Sequence, residues 1–265
     1  MEKKFAHNSF EKRLKSMLSV DARRMFKTSR FYIMVGICFV IPILILVMTT
    51  MVDGGDSVNP QMGTETAMEI ENTWQIISSF SGQDVMTMDM TAMVNMNLTY
   101  FLLTALVCLF VSDDFRSGYA KNLFTVREKK NDYVISKTLV CFMSGTCMIL
   151  AFFAGTMIGG AISGLSFDTG VAGNSGIVMC LLSKVFIVAV FVPIYLVVSV
   201  AAKQKAWLSI LASLGIGMLL FMMIPMLTPL DATILNAFMC LAGGVMFSVG
   251  LGAASNAVLR KTSLV

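Results

Sequence analysis

Six apolar runs, each about as long as a bilayer is thick, constrain this chain more than any other feature. The hydrocarbon core measures about 30 Å, which a helix rising 1.5 Å per residue crosses in about twenty residues. The runs lie at about 31–50, 93–111, 133–161, 177–200, 206–224 and 236–259. Backbone polar groups inside lipid must pair within the chain, and single runs of this length do so as helices. The expected fold is an all-α integral membrane protein: a cytoplasmic segment, 1–30, followed by a transmembrane domain of six helices, 31–265. Only 14% of the 265 residues are charged. Soluble domains average about 25%, so a soluble fold is excluded.

The placement of the charges sets the orientation. Nine Lys/Arg precede the first run, five fall in 112–132, Lys203 and Lys205 follow the fourth run, and Arg260 and Lys261 follow the sixth. The three loops on the other side have none, leaving only Lys137 and Lys184 near span ends. Basic flanks stay cytoplasmic, so both termini are expected inside and the acidic loop 51–92 outside. The first apolar run follows thirty polar and basic residues and is long enough to span, so no cleavable signal peptide is expected. Nucleic-acid binding needs a continuous basic face, whereas these cations are split among membrane-flanking segments.

Residues 1–30 combine a stripe of Phe10, Leu14, Met17, Leu18 and Met25 with Lys12, Arg13, Lys15, Arg23, Arg24 and Lys27. This predicts a basic amphipathic helix in the membrane interface, apolar face toward acyl chains and cations toward lipid headgroups. Residues 51–92 hold seven carboxylates and no Lys or Arg, with turn signals at Gly54-Gly55 and Asn59-Pro60. A short helix over 64–80, containing Trp74, is expected inside a solvated outer loop; the acids match no calcium-loop spacing.

In the second run Asn97, Tyr100, Thr104 and Cys108 share one helical face. Such a stripe serves interhelical hydrogen bonding or lines a wet substrate pathway, and both readings stand for Asn97, Tyr100 and Thr104. Lys184 lies in the outer third of the fourth run, where its stem is expected to snorkel to the headgroups. Glycines 155, 159, 160 and 164, and the series Cys240, Gly244, Ser248, Gly252 and Asn256, predict close helix packing. The six cysteines all fall in apolar runs without a Cys-x-x-Cys pair and read as packing residues.

Segment 112–132 is the longest charged stretch after the N-terminus. Phe115, Tyr119 and Leu123 recur every fourth residue, predicting one apolar face of a short helix with Gly118 in its middle and Asp113 and Asp114 at its positive end. The order of acid, Gly118, Lys121-Asn122-Leu123 and then Lys130, seven positions before Lys137, resembles the loop after the second span of type-2 (ABC-2 type) exporter permeases. Arg127 stands where that family usually has proline. With the six spans and the basic amphipathic N-terminus, the resemblance covers nearly the whole chain.

The resemblance implies that Phe115, Arg116, Tyr119, Lys121 and Leu123 couple the chain to an ATPase. It also implies an exporter permease of the cytoplasmic membrane, two copies of a separate ABC ATPase subunit, and a second permease chain, identical or related. ATP and magnesium would bind the ATPase, with no cofactor and no enzymatic activity on this chain.

The chemistry of the residues is compatible with that division of labour. His7 is the only histidine, so no Ser-His dyad or histidine metal site can form within the membrane. No Gly-Lys dipeptide occurs, hence no P-loop. The spans hold no paired carboxylates, which disfavours an ion-coupled secondary carrier. A non-transporting membrane scaffold or immunity protein is the remaining alternative.

Overall fold

The computed structural model describes residues 10–53, 70, 72–78, 95–126, 130–170, 173–221 and 223–261. These form nine α-helices: α1 (Phe10–Lys27), α2 (Ser29–Asp53), α3 (Leu98–Arg116), α4 (Tyr119–Val126), α5 (Lys130–Ser163), α6 (Gly173–Ala202), α7 (Ala206–Phe221), α8 (Ile224–Leu227) and α9 (Ile234–Lys261). Among the described residues the only strand-like pairing is an isolated bridge between Asn72 and Ser166.

Five helices, α2, α3, α5, α6 and α9, are long and apolar enough to cross a membrane. The expected fifth span, 206–224, is instead the 16-residue α7 followed by the one-turn α8. Pro225 stands in the first turn of α8, where its missing N–H costs no helical bond. At about 24 Å, α7 alone falls short of the hydrocarbon thickness. Pro42 and Pro193, by contrast, are carried inside long helices.

Helix α3 is central, with 67% of its apolar window buried, whereas α2 and α9 present most of their surface outward at 22% and 17%. Small residues decide how closely the outer helices approach. A Cβ on Gly155 would collide with the Phe39 carbonyl oxygen, and one on Gly159 would lie 2.9 Å from Ile43 Cα, so α5 and α2 touch backbone to backbone. Gly244 of α9 similarly faces the Phe186 carbonyl of α6, and Ser248 Oγ donates to the Ala189 carbonyl at 3.1 Å. On α7, Ser209 Oγ lies 2.7 Å from Ser199 Oγ and Gly217 abuts the Tyr195 hydroxyl.

The expected helix over 64–80 reduces, among the described residues, to a 3-10 turn, Thr73–Ile76. Its anchor is Trp74, 7% exposed, whose Nε1 donates to the Phe167 carbonyl at 3.1 Å while its ring packs on Phe153 and Phe167. Asn72 adds a bond to the Asp168 carbonyl at 2.6 Å. Most of 51–92 lies outside the described residues. The six cysteines are free, and all except half-buried Cys147 are buried.

Candidate coupling site

The expected short helix spanning 115–123 is two helices. Helix α3 continues to Arg116, Ser117 closes it by donating from its N–H to the Asp113 carbonyl at 2.9 Å, and Gly118 takes φ +72. Only glycine enters that left-handed region freely, so Gly118 ends one helix and turns the chain into α4 rather than weakening a single helix from within. A consequence follows for Asp113 and Asp114. They occupy the last turn of α3, the negative end of its dipole, where carboxylates are disfavoured unless cations answer them.

Cations answer both. Arg30 pairs with Asp113. Arg24 reaches Asp114 at 2.7 Å, and Lys137 lies 2.7 Å from Asp114 and 3.0 Å from Asp21. Asp21, Asp114 and Lys137 have no exposed side-chain surface. Tyr133 donates to Asp114 at 2.9 Å and Ser136 to Asp21 at 2.6 Å. The Lys137 ammonium sits 3.7 Å from the centre of the Phe110 ring, and the Arg24 guanidinium 4.1 Å from that of Tyr119.

Two acids and two bases make this buried cluster formally neutral, the condition under which charges can leave water together. The Lys137 and Arg24 contacts with Asp21 and Asp114 all lie at close ion-pair distances. Burial works against the Arg24 guanidinium, but Asp114 outweighs it and holds its pKa above the ordinary value. Burial, reinforced by Asp21, pushes the Tyr119 phenol up.

The cluster fixes α1. Met17, Asp21 and Met25, one helical face, are buried, and Arg13 adds a bond to Asp132 at 3.1 Å. The stripe expected to enter lipid therefore packs partly on protein, and Arg13 and Arg24 serve ion pairs in place of headgroups. Lys12, Lys15, Arg23 and Lys27 remain exposed. Asp21 and Lys137 were not singled out for a site from sequence. The signal was available: an acid midway between Met17 and Met25 on an apolar stripe, and a lysine inside an apolar run.

The predicted coupling residues divide in two. Phe115, 8% exposed, faces the core from α3; Tyr119 and Leu123 lie half-buried on α4, so the apolar side of the segment turns inward. Arg116 and Lys121 are exposed, together with Ser117, Asn122 and Thr125. The outer face of the turn is polar and basic among the described residues and is seated on the charge cluster.

The polar stripe of α3 is also inside the bundle. Tyr100 donates to the Lys184 carbonyl at 2.8 Å and stacks on Phe191; Thr104 bonds its own helix at the Tyr100 carbonyl. Cys108 meets Ser213 at 3.5 Å. Asn97 accepts from the Lys184 ammonium at 2.8 Å, and Thr228 accepts from it at 3.0 Å. Lys184 is fully buried and its ammonium is held by these two neutral oxygens inside the bundle, so the expected snorkelling does not occur. In this arrangement the stripe joins α3 to α6 and α7.

Residues 23–222 match the family described as ABC-2 family transporter protein. The chain belongs to this family and is an ABC transporter permease, a multi-pass membrane protein. No curated protein matches the chain, and no solved structure does.

Proposed function

We propose that the chain is the membrane-spanning permease subunit of an ABC exporter, moving its substrate across the cytoplasmic membrane with ATP hydrolysed by a separate ATPase. The carrying observation is the neutral charge cluster beneath the α3–α4 turn, which ties α1, α3 and α5 together behind an exposed basic surface. On this reading two ATPase copies dock on the turns of two permease chains through Arg116, Lys121 and the edges of Tyr119 and Leu123. Closure of the ATPases displaces α4. The Tyr119 ring passes that displacement to Arg24, and through Asp114 and Lys137 to three helices at once. Phe115 anchors the end of α3. Asn97, Tyr100 and Thr104 face the pathway only after α3 and α6 part. Six spans, with α7 and α8 together as the fifth, place both termini in the cytoplasm.

Arg116 and Lys121 test the docking without touching the core. Charge reversal at both should weaken ATPase co-purification about tenfold, salt should weaken the wild-type complex in the same way, and thermal stability should stay unchanged. Undiminished co-purification and coupled hydrolysis would remove the docking role and bring the scaffold reading forward.

A further inference from the structure

Helices α5, α6 and α9 enclose a groove of about 630 Å³, within the range of small-molecule sites. Its walls are apolar, with Val134, Leu139 and Phe142 from α5, Ala189 from α6 and Val249 from α9. On α5 it runs from Asn131 to Phe142, about 17 Å at the helical rise and close to half the hydrocarbon thickness. It is therefore one leaflet deep.

One end of the groove is polar and basic. Asn131 and Asn256 line it there, next to Lys130 at the start of α5 and to Arg260 and Lys261 in the last turn of α9. Lys130 donates to the Leu259 carbonyl at 2.7 Å, which fixes the two helix ends beside each other. None of these three cations has an ion-pair partner among the described residues, and Asp132, the nearest acid on α5, is engaged by Arg13. A slot the depth of a leaflet, ending in three cations without an ion-pair partner among the described residues, matches an acyl chain beneath an anionic headgroup.

We propose that this groove binds one acyl chain of an anionic phospholipid, with Lys130, Arg260 and Lys261 holding the headgroup. A second copy of the chain is the less suitable occupant, because a two-fold contact across the groove would set the same three cations against each other.

Native mass spectrometry of the purified full chain, given equimolar phosphatidylglycerol and phosphatidylcholine, reads the site directly. The wild type should retain phosphatidylglycerol at least about fivefold in preference, the contribution expected of one cation near a headgroup. The double variant Arg260→Gln, Lys261→Gln should bring that ratio toward one while the number of lipids retained is unchanged. Gly252→Phe should lose one lipid of either kind. A Cβ there meets only Val134 Cγ1, at 3.9 Å, so the fold has room for it. Thr138→Phe should repeat the loss from the opposite wall. Equal retention of the two lipids by the wild type, or an unchanged lipid number in both filled variants, would overturn the assignment. So would efficient cross-linking between copies through Val249→Cys in a cysteine-free background, which would give the groove to a second chain.

Discussion

A lysine stem carries its ammonium to lipid headgroups only where no nearer oxygen accepts it, and Asn97 and Thr228 provide two such oxygens to Lys184. Among the described residues Asn97 in turn has no acceptor for its amide Nδ2. Lys184→Met should therefore cost about 1–3 kcal/mol by stranding the Asn97 and Thr228 acceptors. Thermal unfolding in detergent measures it, and Asn97→Ala added to Lys184→Met should cost little more. Independent, additive losses would show that the two side chains do not act as a pair. The sequence displayed both residues, but they stand 87 positions apart and nothing local announces that they meet. Gly155 was more legible, since spaced glycines on an apolar helix imply a close neighbour. Gly155→Ala should destabilise by about 1–3 kcal/mol, because the obstructing Phe39 oxygen is backbone and cannot rotate away.

At the scale of elements, periodicity located α1 and the long helices well, because an apolar stripe or run has no other stable use. It failed where a single glycine changed the backbone. Reading Phe115, Tyr119 and Leu123 as one face put Asp113 and Asp114 at a helix start, whereas Gly118 leaves them at a helix end. The partners that make this placement tolerable come from α1, α2 and α5, which a local pattern cannot reveal. Removing one of them exposes the cost. Lys137→Met strands the buried Asp21 carboxylate and should destabilise by about 3 kcal/mol or more. The double variant Asp21→Asn, Lys137→Met should recover part of that loss. The denaturation midpoint and protease access to α1 report both effects, and a double variant no better than the single would show that Asp21 does not depend on Lys137.

For the whole molecule, the positive-inside pattern predicts one orientation for every helix. Lys121 and Asp168 are both exposed and lie at opposite ends of the bundle. In a background lacking the six native cysteines, Lys121→Cys should label only from the cytoplasmic side and Asp168→Cys only from outside. Labelling of both from one side would reject the proposed six-span topology. The sequence carries an expectation for this layout because charge asymmetry is a global property. It could not show that α7 stops at Phe221, because the apolar run continues without a break to Met226.

The charge cluster also has a history within each molecule. Arg13 meets Asp132 across 119 positions, and Asp21 meets Ser136 across 115. At a synthesis rate of about 5–20 residues per second, the N-terminal helix waits roughly 6–24 s for its seat to be made. Until then Asp21 and Arg24 lack their partners, so nascent chains released before residue 137 carry an undocked, amphipathic, basic helix.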